Sequence, residues 1–186
     1  IDASVVTGLA SDTVANIKTL LTAGNDTAQF TAASFESIAT AVVSDTTLSG
    51  SDLADAIDQA NAATGGTGTV FTITAADTIT GSEANFTALL TDEGNTQIAI
   101  TDQNLTVNTG EISVTNANLL DATTSGTVTA TIDAGTSVDT LETLTGSHAY
   151  TITIDAGDAT GKTAAEFNTI NGKTTLAIDA SAVTGI

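Results

Sequence analysis

The sequence predicts an α/β fold: a repeat solenoid in which short parallel strands alternate with short helices. Three observations lead there. Stretches of strict period-two alternation recur through residues 67–186. Between them the apolar spacing lengthens to three and four residues, the spacing of a helix face. The octet IDASVVTG at 1–8 returns as IDASAVTG at 178–185, changed only at Val5 and Ala182. Strands joined through helical returns, with no tight hairpin, must pair in parallel. A three-sided β-solenoid with the helices reduced to turns is the alternative.

Residues 1–66 read as a more helical portion. Val14, Ile17 and Leu21 form one apolar stripe, Phe35, Ile38, Ala39, Val42 and Val43 a second, and Leu53, Ala56, Ile57 and Ala60 a third. Gly24 and the Gly65–Gly66 pair stand where the first and third should end. TAQF (27–30) and DTTLS (45–49) are weaker strand candidates.

Residues 67–186 read as regular strand–helix coils. The strands are FTITAAD (71–77), QIAITD (97–102), TVTATIDAG (127–135), YTITIDAG (150–157) and TLAIDAS (175–181). Aligning Ile73, Ile100, Ile132, Ile154 and Ile178 gives spacings of 27, 32, 22 and 24 residues, the size of a solenoid coil. The longest interval holds LTVN (105–108) and EISV (111–114), which read as an insertion or a differently shaped coil. Val128, Ala130 and Ile132 should be buried, with Thr127, Thr129 and Thr131 on the polar face. Helices are expected in SEANFTALL (82–90), SVDTLETLTG (137–146) and TAAEFNTING (163–172), the last opened by a Thr163–Glu166 capping box. No Pro or charge-rich linker interrupts the chain, so residues 1–186 read as one continuous repeat segment.

The formal net charge is −19, from 22 acidic residues against Lys18, Lys162 and Lys173. Such a surface repels nucleic acid and anionic membranes and attracts cations, as suits a saline or calcium-rich exterior. With no Cys there is neither a disulfide nor a thiolate metal site. No apolar run reaches membrane-spanning length, so no direct membrane insertion is expected.

The stretches NGKTTLAIDASAVTG (171–185), ISVTNANLLDATTSGTVTATI (112–132) and LETLTGSHAYTITI (141–154) resemble repeats of giant Thr/Ala/Asp-rich tandem-repeat surface proteins of bacteria. They are most like those of marine cyanobacteria, of the swimming-motility cell-surface type. The resemblance implies export and an extracellular or cell-surface location, and it transfers no functional residue. Residues 11–66 fit it less well. With the matching octets, it leads to the expectation of a segment cut from a longer protein. Residues like 9 onward would then follow 186, and something like NGKTTLA would precede Ile1.

The candidate metal ligands are Asp133, Asp155 and Asp179, each following an Ile at a strand end. Asp2 holds the same position, and Asp139 and Asp158 lie shortly after two of the strands. Carboxylates stacked along one edge would suit Ca²⁺, a hard cation that takes several oxygen ligands. The plainer reading is that each Asp closes a turn or caps a helix. No EF-hand loop or GGxGxD repeat is present. The Thr-x-Thr rows resemble ice-binding faces of some β-solenoids, but uneven spacing argues for an ordinary solvated face.

His148 is the lone His, so any nucleophile–His–carboxylate triad must use it; in SHAY (147–150) it reads as a structural turn residue. Sugar clefts need aromatic platforms, and aromatic residues make up only 3%. Neither GNDTAQ nor TGGTGT has the Lys of a phosphate-binding loop. The reading is therefore a non-enzymatic structural repeat module, acting as a spacer or surface-layer element, with no cofactor. Its partners would be neighbouring repeats and cell-surface components. A calcium-dependent adhesin is the alternative.

Overall fold

The computed structural model describes residues 6–26, 35–66 and 68–184. It is a mixed α/β structure in which helices alternate with parallel strands. The chain divides into two compact units, residues 1–100 and 101–186.

In the first unit β1 (Gly8–Asp12) leads to helix α1 (Val14–Gly24), then β2 (Thr40–Val43), β3 (Thr47–Ser49) and helix α2 (Gly50–Thr64). β4 (Val70–Ile73), β5 (Thr78–Ser82) and helix α3 (Glu83–Gly94) follow. β1 pairs with β2, β2 with β4, and β3 with β5, all in parallel. The core is filled by Val14, Ile17 and Leu21 of α1, by Leu53, Ala56, Ile57 and Ala60 of α2, and by Phe71, Ile79, Phe86 and Leu89. These are the predicted stripes of the first and third helices. Gly65, in the left-handed region at φ 70°, closes α2.

The second unit contains β6 (Asn104–Thr109), α4 (Val114–Thr123), β7 (Val128–Thr131), α5 (Val138–Leu141), β8 (Ala149–Thr151) and α6 (Ala164–Asn171). β6 pairs with β7 and β7 with β8, again in parallel. Val128, Ala130 and Ile132 are buried while Thr127 and Thr131 are exposed, as the alternation requires.

A Ser or Thr starts each described helix. Thr13, Ser49, Ser82, Ser113, Ser137 and Thr163 each accept the backbone N–H three residues on, which satisfies one of the donors that a helix start leaves open. The predicted box at Thr163–Glu166 forms, and a second forms at Ser82–Asn85. Inside the helices, Thr19, Thr22, Thr64, Thr87, Thr91, Thr123 and Thr169 donate their hydroxyls to the carbonyl four residues back. These bonds satisfy the hydroxyls on the helix itself, while the apolar stripes and the Ser/Thr caps hold the helices.

Four expectations need correction. The second N-terminal stripe is not a helix: Phe35 lies in a turn at φ 66°, and Thr40–Val43 is β2 with Ala41 and Val43 inward. β-branched Val42 and Val43 favour the strand, and a segment this short fits either period. QIAITD is not a strand. Its backbone bonds to distant segments, Phe71 N–H to Gln97 C=O at 2.7 Å and Ser125 N–H to Thr101 C=O at 2.8 Å, do not extend into a ladder, and the strand lies instead at β6, over the LTVN expected as an insertion. TLAIDAS makes only the isolated Thr153–Asp179 bridge, with Thr174 bridging His148 just before it.

The fourth correction is one of register. Ile132, Ile154 and Ile178 do not stand side by side. Thr131 pairs with Thr151, so Ile132 falls beside Ile152, and Asp179 pairs with Thr153. Ile154 lies two residues further along. Ile132 and Ile154 are buried, and Ile178 is half-buried. DTTLS does contain β3. TAQF (27–30), Asp2 and most of the first octet lie outside the described residues.

Candidate functional site

The structure does not bring the three candidate metal ligands together. Asp133 closes a turn, its carbonyl accepting the Thr136 hydroxyl at 2.6 Å. The Asp155 carbonyl accepts the N–H groups of Asp158 and Ala159, and its side chain is exposed. Asp179 is also exposed; its carboxylate accepts the Ser181 N–H at 3.0 Å, which holds the carboxyl below its ordinary range. The two-residue register offset separates Asp155 from the strand position shared by Asp133 and Asp179. For Asp179 the side-chain bond is that of an Asx turn, the plainer of the two sequence readings.

Three acidic ligand atoms do lie within 4.8 Å of one another elsewhere, at Asp139, Glu142 and Glu166. Asp139 and Glu142 sit at α5, Glu166 in the first turn of α6. Sequence reading placed Asp139 near a strand end but missed the grouping, which depends on α5 packing beside α6. A cation already serves this cluster. The Lys162 ammonium bonds Asp139 and lies 3.5 Å from Glu166. The Asp139 hydrogen bond chiefly raises the Lys162 ammonium above its usual range. Glu166 is held low mainly by its capping bonds to Thr163. A metal ion would have to displace Lys162 and disturb the α6 cap.

The most constrained polar group is His148. Its Nε2 lies 2.5 Å from the Asp121 carboxylate, and its Nδ1 accepts the Val128 N–H at 3.2 Å. A ring nitrogen that accepts carries no proton, so Nε2–H donates to Asp121. Burial pulls the Asp121 carboxyl up, but bonds from Thr145 and His148 outweigh it and leave the carboxyl below its ordinary value. The His148 ring packs edge-on to Tyr150, with centroids 5.6 Å apart. Both ring nitrogens are engaged, one by backbone. In a nucleophile–His–Asp triad the nitrogen remote from the carboxylate must face a hydroxyl or thiol. Here it faces a backbone N–H, so His148 ties β7 and β8 to α4.

Sequence reading also missed a set of threonines that bond back to an earlier part of the chain. Thr69, Thr124 and Thr174 are buried and donate to the carbonyls of Ile38 (2.8 Å), Gln103 (2.6 Å) and Tyr150 (2.5 Å). Thr74 and Thr80 do the same to Val43 and Leu48. Each bond runs to a carbonyl in or beside a strand earlier in the chain. Thr124 and Thr174 also accept the N–H two residues on. That local turn was the available signal, in TTSG (123–126) and TTLA (174–177).

Comparison with protein-family models, curated proteins and solved structures gave no match, so no family is assigned to the chain.

Proposed function

We propose that this chain is a non-enzymatic structural module, a stretch of stacked strand–helix coils serving as a spacer or surface-layer element in a large extracellular or cell-surface protein. The observation that carries the reading is the way neighbouring segments are joined. Parallel strand pairs, reinforced by threonine hydroxyls reaching back to an earlier strand, are the interactions that would propagate along a solenoid. Polar groups that suggest chemistry are engaged structurally: His148 by Asp121 and Val128, Lys162 by Asp139 and Glu166. The cell-surface location rests on the resemblance of the repeat phrasing. No described helix is long and apolar enough to cross a membrane.

Thermal melting in Ca²⁺, Mg²⁺ and NaCl of matched ionic strength tests this reading. With a net charge of −19, screening should raise the melting temperature in all three, and to the same extent. A Ca²⁺ increment well beyond the other two would mean specific binding to the folded state. That result would favour the calcium-dependent adhesin and overturn the purely structural reading.

A further inference from the structure

The strands of the second unit bury one face and leave the other to solvent. Leu105, Val128, Ala130, Tyr150 and Ile152 are buried. The residues between them point the opposite way. There Thr131, Thr151 and Thr153 are exposed, and Thr106 and Thr129 are half-buried. The ladder sets these threonines in rows. Thr106 pairs with Thr129, and Thr129 with Ala149. In the next row Thr131 pairs with Thr151. Thr153 follows two residues beyond Thr151, where it bridges Asp179. Unequal coil lengths do not disturb the rows, because the connections between strands take up the difference. Aligning the coils on Ile154 hides this regularity, since Ile152 is the residue that falls beside Ile132.

The rows differ from the rest of the surface in their hydroxyls and in their charge. Among the described residues, none of the five hydroxyls has a hydrogen-bond partner. Threonines elsewhere turn theirs onto carbonyls, as Thr123 and Thr169 do within helices and Thr124 and Thr174 do between segments. On this face the hydroxyls are left to water. The rows Thr106–Thr129–Ala149 and Thr131–Thr151 also carry no ionised side chain, in a chain of net charge −19. Asp133 and Asp179 stand only at the far end, level with Thr153. An uncharged patch on so acidic a protein fits an uncharged partner.

We infer that this threonine face is an ice-binding surface, whose partner is the ordered water of an ice crystal. Neighbouring strands lie about 4.8 Å apart and a Thr-x-Thr step covers about 6.6 Å, so methyl and hydroxyl groups repeat in two directions on the scale of hydrogen-bonded water. An ice surface is a neutral partner that repeats in the same way. Threonine is stiff about its first side-chain bond, so a row held by a ladder loses little freedom when the water over it joins the lattice. The hydroxyls bond that water and the methyls exclude looser arrangements of it. This adds a binding activity to the structural-module reading and does not depend on it.

Slow freezing of a dilute solution of the full chain tests this, with protein measured in the ice and in the remaining liquid. The unmodified chain is expected to be enriched in the ice and to hold ice growth below the melting point. Thr131→Lys and Thr151→Lys each put a charge in the middle of the rows at an exposed position. Both should lose the enrichment while their circular dichroism stays unchanged. Thr87→Lys, at an exposed position on α3 outside this face, should keep it. Exclusion of the unmodified chain from the ice would overturn the inference. So would undiminished enrichment of the Thr131→Lys and Thr151→Lys variants, which would place ice contact elsewhere. Neither result would touch the calcium comparison, on which the structural-module reading stands separately.

Discussion

Gly126→Ala is expected to cost about 3 kcal/mol of stability, the upper end of what overpacking brings. Thr124 donates to the Gln103 carbonyl and accepts the Gly126 N–H, while Ser125 N–H bonds the Thr101 carbonyl at 2.8 Å. Thr127 N–H then bonds the Asn104 side chain, and β6 pairs with β7 from Leu105–Val128 onward. These bonds press the backbone of 124–127 against 101–104. A Cβ on Gly126 would lie 2.7 Å from the Gln103 carbonyl carbon and 2.9 Å from the Asn104 nitrogen. Both are backbone atoms and cannot rotate aside, so the substitution must part the strands. Gly157, by contrast, has open space around its Cβ position. Urea denaturation of both variants checks this. Gly157→Ala should fall within about 0.5 kcal/mol of the parent, as surface substitutions do, and equal effects at the two positions would refute the close approach.

Asp92→Asn is expected to stabilise the protein by about 1–2 kcal/mol at neutral pH, since one pKa unit corresponds to about 1.4 kcal/mol. Asp92 lies buried on α3, and its carboxyl is pushed up to about 6, first by burial and then by the charge of Asp58. In the unfolded chain an Asp titrates near about 3.9. Between these values the folded state holds the extra proton, so stability falls as pH rises. The Asp92 contribution is therefore fully present below about pH 4 and lost as pH passes through about 6. Asp52, Asp121 and Glu166 act in the opposite sense, because each is held low in the folded state and loses its stabilisation in acid. The difference between parent and variant isolates Asp92. It should grow from about pH 4 and level off near neutrality, and a difference flat across that range would contradict the assignment.

The sequence made the helices legible where an apolar stripe coincided with a Ser or Thr cap. Val14, Ile17 and Leu21 behind Thr13, and the Thr163–Glu166 box, show this. It could not fix strand register, for a physical reason. In YTITIDAG, Ile152 and Ile154 face the same side and both are buried. Sliding the strand by two residues keeps every side chain on its proper face, so only the hydrogen-bond ladder decides. That ladder chose Ile152 beside Ile132 and left Asp155 out of line with Asp133 and Asp179. Thr127, Thr129 and Thr131 were read as outward strand residues, which holds for Thr127 and Thr131, while Thr124 and Thr174, outside the expected strands, are buried. The hydroxyls of those two turn inward onto the Gln103 and Tyr150 carbonyls, brought near only by the fold. That proximity is tertiary and leaves little trace in the local pattern. The Asp139, Glu142 and Glu166 grouping was hidden for the same reason.

The central claim is that stability comes from stacking one strand–helix segment on the next. Thermal unfolding of two copies joined in tandem, compared with one copy, tests it most directly. If stacking continues across the junction, the joined copies gain an interface that a single copy lacks, and nearest-neighbour coupling stabilises the whole array. The account predicts one cooperative transition at a higher temperature than that of the single copy. Two copies that melt at the single-copy temperature, as independent beads, would contradict it.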